Sequence, residues 1–150
     1  ANLKADWAID ALLGEASGNM APELAIAETG PWIAGPGGLK MDPVETKAWT
    51  PTQLTVWARD DGHGGGSAYG RGRVTPVTLT WFKHSGPGDV TFSEESGRID
   101  VEGGSMATMA TFTEPGEYIL RVRANDSSGV SGAGHSQCCW TNGFISITVN

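Results

Sequence analysis

From residue 23 onward the chain carries short stretches in which apolar and polar residues alternate, each bounded by glycine, proline, aspartate or serine. Alternation with a period of two is the pattern of a β-strand that buries one of its faces. The pattern predicts seven strands, near residues 23–28, 52–59, 76–83, 89–93, 106–113, 117–124 and 143–149. Seven short strands separated by such turns predict an all-β fold, an antiparallel sandwich of two sheets.

The alternation also assigns each strand residue to an inner or an outer face, because neighbouring residues of a strand point in opposite directions. Four apolar rows are predicted to form the core: Leu54, Val56 and Ala58; Val77, Leu79 and Trp81; Tyr118, Leu120, Val122 and Ala124; Ile145, Ile147 and Val149. Four other large apolar residues then point outward: Trp57, Phe82, Ile119 and Phe144. Clustered apolar groups on an outer face indicate that another surface covers them. We therefore expect these four residues to take part in assembly.

Residues 1–22 lack the alternating pattern, so we divide the chain into an N-terminal arm, 1–22, and a sandwich domain, 23–150. The arm carries a short apolar segment, Trp7, Ile9, Leu12 and Leu13, which glycine and proline end before a long helix could form. Two placements remain open. The arm packs on its own domain, or it docks on a neighbouring subunit as part of a homo-oligomer or polymer.

The charge composition excludes one class of partner and favours one location. Seventeen acidic and ten basic residues give a net charge of −7, and the sequence lacks the basic clusters that nucleic-acid binding requires. Charged residues make up only 18% of the chain, while glycine, serine and threonine are abundant, as in secreted β-proteins. No apolar run is long enough for a membrane span. We expect an extracellular or cell-surface protein.

Two motifs resemble bacterial PKD-type, immunoglobulin-like domains. In the stretch 76–93, a strand with a tryptophan leads into a Ser-Gly-Pro turn, and in the stretch 110–129 a Phe-x-x-Pro-Gly-x-Tyr corner precedes an alternating strand and Ala-x-Asp. The matching positions are Trp81, Ser85, Gly86, Pro87, Phe112, Pro115, Gly116, Tyr118, Ala124 and Asp126. The resemblance covers residues 23–150 and implies an immunoglobulin-like sandwich with Trp81 buried and Tyr118 bonded to the backbone. It implies little about function.

No combination of residues in the sequence is typical of an enzyme. The three histidines lie in loops rich in glycine and serine, and no nucleophile motif or phosphate-binding loop connects a strand to a helix. A zinc site from His84, His135, Cys138 and Cys139 is one alternative, but adjacent cysteines do not match the usual spacing of zinc ligands. We expect a non-catalytic protein with no cofactor unless it binds calcium.

Calcium is the better metal candidate. Asp60, Asp61 and Asp126 follow strands that the predicted sandwich brings to one end, and carboxylate oxygens from loops suit Ca²⁺. The alternative is that the three are solvated turn residues, because aspartate favours turns in any case.

The only two cysteines, Cys138 and Cys139, are adjacent in the sequence. A bond between them would close a strained ring, since adjacent Cα atoms lie closer together than disulfide partners usually do. A vicinal disulfide, an intermolecular disulfide and two free thiols remain open, and secretion favours the oxidised forms. Asn125-Asp126-Ser127 is also a glycosylation sequon, with Asn125 as its acceptor.

Two functions fit these features. The first is a structural subunit that self-associates into an extracellular filament or surface layer. The second is an accessory module of a secreted enzyme or adhesin that binds carbohydrate or protein. In that case Trp32, Trp49 or Trp57 would stack on sugar rings.

Overall fold

The structure, a computed structural model, describes residues 20–35, 37–62, 77–126 and 140–150. Within these ranges the chain is all β and contains ten strands. In chain order they are β1 (Glu23–Ala25), β2 (Leu39–Lys40), β3 (Val44–Thr46), β4 (Thr52–Arg59), β5 (Val77–Ser85), β6 (Val90–Phe92), β7 (Ser96–Ile99), β8 (Gly104–Phe112), β9 (Gly116–Asn125) and β10 (Trp140–Val149). No helix in the described ranges is long and apolar enough to cross a membrane.

The strands form two sheets that pack face to face as an immunoglobulin-like sandwich. The smaller sheet has the order β1-β4-β8-β6, and all of its pairs are antiparallel. The larger sheet has the order β2-β10-β9-β5-β7, with β3 also paired to β10. The strands β10, β9 and β5 at its centre are long antiparallel partners. The predicted all-β, immunoglobulin-like sandwich of two sheets is therefore confirmed.

All seven predicted strands are present, but the sequence pattern missed β2, β3 and β7. β2 and β3 are two and three residues long and pair in parallel with β10, so the sandwich is not antiparallel throughout. β7 contains a glycine and buries only Ile99. β1 ends at Ala25, earlier than the predicted residue 28. Strands of two to four residues are too short to show a recognisable alternation.

The four predicted apolar rows form the core between the sheets. Every member of the rows is buried, and Trp81 and Tyr118 are each only 1% exposed. The core also takes up residues that the rows did not include, among them Leu24, Leu39, Met106 and Phe112. The ring of Phe112 meets that of Tyr118 edge to face, with centroids 4.9 Å apart.

Tyr118 ties the turn before β6 to the turn before β9. Its hydroxyl donates a hydrogen bond to the carbonyl oxygen of Glu114 at 2.8 Å and accepts one from the backbone N–H of Gly88 at 3.0 Å. Gly86 packs so closely on the phenol ring of Tyr118 that a Cβ at this position would clash with the ring carbons, and its φ of 138° also favours glycine. The corner tyrosine implied by the sequence is confirmed.

Candidate functional site

The four outward apolar residues predicted for assembly lie on two different faces. Trp57 is half-buried on the outer face of the smaller sheet, between Ala25 on β1 and Ser105 on β8. The other three, Phe82, Ile119 and Phe144, lie on the outer face of the larger sheet. All four point away from the core, as the alternation predicts, but they do not form one patch.

A cross-strand row runs through the centre of the larger sheet's outer face. Phe82 on β5 pairs with Arg121 on β9, and Arg121 pairs with Phe144 on β10. Lys40 on β2 is the next partner along the row. Arg123, two residues along β9 from Arg121, stands on the same face. The sequence analysis singled out the aromatic members of this row but not its two cations, Arg121 and Lys40.

Both arginine side chains lie over the same aromatic ring. The guanidinium carbon of Arg121 is 4.7 Å from the ring centroid of Phe82, and that of Arg123 is 5.1 Å from it. Such cation–π contacts stabilise by about 0.5–1 kcal/mol at exposed sites and more where water is excluded. The chain's own guanidinium groups therefore cover part of the apolar surface that the sequence left unexplained.

The two guanidinium groups leave polar atoms unpaired. The Nε atoms of Arg121 and Arg123 are shielded from solvent and have no hydrogen-bond partner within the described residues. Asn142 is the cross-strand neighbour of Arg123. Its side-chain Oδ1 is likewise shielded from solvent and has no hydrogen-bond partner within the described residues. Burial lowers the pKa of the Arg123 guanidinium, and the nearby charge of Arg121 lowers it further. We call Phe82, Arg121, Arg123, Asn142 and Phe144 the Arg–Phe face.

The rim of the Arg–Phe face is more open. His84 meets the ring of Phe144 edge to face, with centroids 5.5 Å apart. Ile119 is 38% exposed and stands between Ser85 and Ser146 on the neighbouring strands. A partner on this face would therefore meet a cationic and aromatic centre beside a smaller aliphatic contact.

The three predicted calcium ligands, Asp60, Asp61 and Asp126, lie close enough at one end of the sandwich for their charges to interact. Burial raises the pKa of Asp60 to about 6, and the charges of Asp126 and Asp61 raise it as well. The backbone N–H groups of Asp61 and Gly62 act against this rise, although neither makes a hydrogen bond of regular geometry to Asp60. Asp126 is only 2% exposed. A cation at this end would relieve the repulsion among the carboxylates.

The arrangement of these carboxylates is not that of a formed metal centre. No group of three acidic, histidine or cysteine side chains in the described ranges is placed to hold a metal ion. Asp61 accepts a hydrogen bond at 3.1 Å from the backbone N–H of Met20, where the arm joins the domain. A cleft of about 420 Å³ opens beside them and is lined by Met20, Ala21, Glu23, Ala34, Asp60 and Asp61. Calcium binding stays a prediction.

The three tryptophans proposed as sugar platforms differ in exposure. Trp32 is half-buried beneath Arg59, whose guanidinium carbon lies 4.3 Å from the ring centroid and whose Nε bonds Glu23 at 2.6 Å. Trp57 is half-buried on its sheet. Trp49 is 70% exposed, in a turn where its φ of 63° places it in the left-handed region. Trp49 alone of the three presents a largely open ring.

Several predicted site residues lie outside the described residues. These are Trp7, Ile9, Leu12 and Leu13 of the arm, His135, and the cysteines Cys138 and Cys139. The sequon residue Asn125 is the last of β9, and its side-chain nitrogen donates to the carbonyl oxygen of Asp126 at 3.1 Å. Arm docking, disulfide formation and glycosylation therefore stay predictions.

Comparison with solved structures finds distant likenesses. The N-terminal domain of PorA matches 86% of this chain, which spans 97% of that domain, at 12% identity and a TM-score of 0.48. Domains 4 and 5 of the S-layer protein SbsC match 73% of this chain, which spans 47% of theirs, at 11% identity and a TM-score of 0.42. WR4, an MSP family member from C. elegans, matches 72% of this chain, which spans 93% of WR4, at 8% identity and a TM-score of 0.41.

Comparison of the sequence itself gives no relative. No protein-family model matches the chain, and no curated protein matches it.

Proposed function

We propose that this chain is a non-catalytic structural subunit that self-associates outside the cell, in a filament or a surface layer. In this assembly residues 1–22 of one copy dock on the sandwich of the next copy. The observation that carries the proposal is the Arg–Phe face, where aromatic rings and two guanidinium groups with unpaired Nε atoms stand on an outer sheet surface. Such a surface is costly to leave without a partner.

The size of the arm sets the strength of association that it can supply. Burying one large apolar side chain stabilises a complex by about 1.5–3 kcal/mol, so Trp7, Ile9, Leu12 and Leu13 together offer roughly 6–12 kcal/mol. Association costs about 4–15 kcal/mol in lost translational and rotational freedom. The apolar contacts alone therefore come close to break-even, and polar pairing on the receiving face decides whether the complex is stable.

An arm that leaves one copy and docks on a different face of the next makes a heterologous contact. Such contacts generate open chains of subunits unless the rotation between neighbours happens to close a ring. A filament or a sheet-like layer is the expected product. A composition poor in charged residues and rich in glycine, serine and threonine agrees with an extracellular location.

Within the immunoglobulin-like fold, we propose that the domain is of the PKD type. Two local features support this. The Tyr118 hydroxyl both donates and accepts a hydrogen bond with the backbone, and Trp81 is buried at the centre of β5. Both features stand at the positions that the sequence resemblance implied.

Sedimentation velocity of the full chain over a range of concentrations, followed by negative-stain electron microscopy, tests self-association. The proposal predicts species larger than a monomer whose proportion rises with concentration, and linear or layered particles on the grid. A single monomer boundary at every concentration contradicts it.

The second candidate, a carbohydrate-binding module, is favoured by Trp49. The backbone N–H of Trp49 donates a hydrogen bond to the carbonyl oxygen of Phe112 at 2.9 Å, which holds the residue on its turn. Its exposed ring is the kind of platform on which sugars stack. Retention on insoluble polysaccharides that is lost in Trp49→Ala, and kept in Trp32→Ala, would support this candidate. Equal retention of both variants, or no retention of the wild type, contradicts it.

A further inference from the structure

We propose that the Arg–Phe face is the surface that receives the N-terminal arm of a neighbouring copy, with Asp6 and Asp10 of the arm paired to Arg121 and Arg123. This inference rests on the proposed function and adds to it the receiving residues and the chemistry of recognition. It is carried by three observations, which are the charge of the face, its unpaired donors, and the composition and exit point of the arm.

The face is a basic centre on an acidic protein. Arg121 on β9 lies between Phe82 on β5 and Phe144 on β10, Lys40 on β2 lies on the far side of Phe144, and Arg123 stands two residues along β9 from Arg121. The chain as a whole carries a net charge of −7. The nearest acidic residue along β9 on the same face is Glu117, whose carboxylate already accepts a hydrogen bond from Thr148 at 3.0 Å. The face therefore attracts negative charge.

The two guanidinium groups need an anion between or beside them. Both lie over the ring of Phe82, so their like charges are held close together. Neither has a carboxylate partner within the described residues, and both Nε atoms are shielded from water. Arginine N–H groups bind carboxylates in a geometry that pairs two donors with two oxygens. A partner that brings carboxylates flanked by apolar groups satisfies the charges and the aromatic rings together.

The arm has that composition. It holds three acidic residues, Asp6, Asp10 and Glu15, against one lysine, Lys4. Trp7 and Ile9 lie between the two aspartates in the sequence. Carboxylates and large apolar side chains are therefore interleaved in one short segment, as the chemistry of the Arg–Phe face requires.

The arm is long enough to reach another copy, and its exit point favours one. The described chain begins at Met20, whose N–H bonds Asp61 after the last residue of β4 in the smaller sheet. The 19 residues before it span up to about 60 Å when extended. The Arg–Phe face of the same copy lies on the opposite outer surface, beyond the other sheet. To reach its own Arg–Phe face, the arm would have to pass around the edge of its own sandwich. The Arg–Phe face of a neighbouring copy can be reached without this.

The other outer face lacks the matching chemistry. The smaller sheet carries Trp57 there, but its cation Arg59 is already bonded to Glu23 at 2.6 Å and stacked on Trp32. Among the described residues of the smaller sheet, an acidic arm would find no arginine without a partner. The comparison singles out the larger sheet as the receiving surface.

The first test reverses the charge of the face in the full chain. We expect Arg121→Glu/Arg123→Glu to weaken self-association at least tenfold in sedimentation velocity. Lys47→Glu/Arg98→Glu is the matched control, because both residues are exposed and the net charge changes equally. Lys47 lies between β3 and β4, and Arg98 lies on the edge strand β7 opposite Thr78, four residues along β5 from Phe82, so the control also measures the effect of negative charge at the edge of the same sheet. We expect the control to associate as the wild type does. Circular dichroism checks folding, and Arg121→Gln/Arg123→Gln replaces the first variant if reversal unfolds the domain.

The second test uses charge exchange between copies. We expect the arm variant Asp6→Lys/Asp10→Lys to associate weakly alone and the face variant Arg121→Glu/Arg123→Glu to associate weakly alone. When the two variants are mixed, the charge-reversed arm of one protein complements the charge-reversed face of the other. We therefore expect association to return to within a fewfold of the wild type. Misfolding cannot produce such a rescue.

The outcomes separate this inference from the proposed function. A wild-type chain that is monomeric at all concentrations overturns both. A wild type that associates while the face variant associates equally well, with no rescue on mixing, overturns the inference and leaves self-association standing. A face variant that keeps self-association but loses retention on a sulfated polysaccharide column also overturns it, because the occupant is then a polyanion.

Discussion

Arg121 and Phe82 face each other across the paired strands β9 and β5, with the guanidinium carbon 4.7 Å from the ring centroid. The contact puts a cation on an aromatic ring that the sequence pattern exposes to solvent. It therefore converts part of an apolar surface into a charged one. Under the proposed function, such a face binds a partner that supplies apolar groups and carboxylates.

The Arg121–Phe82 contact itself is measurable by a double-mutant cycle. We expect the coupling free energy between Arg121→Met and Phe82→Leu to be about 0.5–1 kcal/mol, as for other exposed cation–π pairs. Denaturant unfolding of the wild type, both single variants and the double variant gives this value. The control pair Lys47→Met and Phe82→Leu should be additive, because Lys47 lies in the segment between β3 and β4. Coupling near zero in the first cycle would show that the ring and the cation are independent.

Tyr118→Phe tests the corner that joins the two turns. The variant keeps the buried ring but leaves the carbonyl oxygen of Glu114 and the N–H of Gly88 without their bonds to the hydroxyl. We expect a loss of about 1–3 kcal/mol in the free energy of unfolding, the cost of leaving buried polar groups unpaired. Urea denaturation measures it. A loss below about 0.5 kcal/mol would mean that water replaces the hydroxyl without cost.

Asp60 makes stability depend on pH in a direction opposite to most carboxylates. Because its folded-state pKa lies at about 6, above the ordinary 3.8, the folded protein holds a proton that the unfolded chain releases between these values. Stability therefore falls as the pH rises from about 4 to about 6. We expect Asp60→Asn to be more stable than the wild type at pH 7 by about 1 kcal/mol, after allowance for the partial exposure of the side chain.

Thermal unfolding of both proteins between pH 4 and pH 7 checks this prediction, and the difference between them should vanish near pH 4. The same comparison tests calcium. If Asp60, Asp61 and Asp126 bind Ca²⁺, the added ion stabilises the wild type at pH 7 and leaves Asp60→Asn unchanged. An equal response of the two proteins to calcium would contradict the calcium prediction.

The oxidation state of Cys138 and Cys139 is open to direct measurement. We expect intact-mass spectrometry without reductant to show a monomer lighter by two hydrogens, as a vicinal disulfide requires, or a covalent dimer. Alkylation before and after reduction is the control. Two thiols that react with the alkylating reagent in freshly purified, unreduced protein would contradict the prediction.

The sequence predicted the core well because burial leaves a period-two signal in long strands. Every row through Leu54, Leu79, Leu120 and Ile147 is buried as the alternation requires. β2 and β3 gave no such signal, because two or three residues on the parallel edge of a sheet cannot show a period.

The Arg–Phe face was only half visible in the sequence. The outward direction of Phe82, Phe144 and Arg121 follows from alternation within each strand. Their alignment in one row depends on the register between β5, β9 and β10, which a loop fixes only in part. The cation–π contacts and the unpaired Nε atoms follow from that register and from side-chain geometry. They could not be derived from the pattern of any single strand.

The most direct test of the central claim is sedimentation velocity of the full chain beside a variant that lacks residues 1–19. The core begins at Leu24, so we expect the shortened protein to keep the circular dichroism spectrum and cooperative unfolding of a folded sandwich. We predict that the full chain forms species that grow with concentration, whereas the shortened protein remains a monomer. Equal sedimentation of the two proteins at high concentration, whether both are monomeric or both associate, would contradict the arm as the link between subunits.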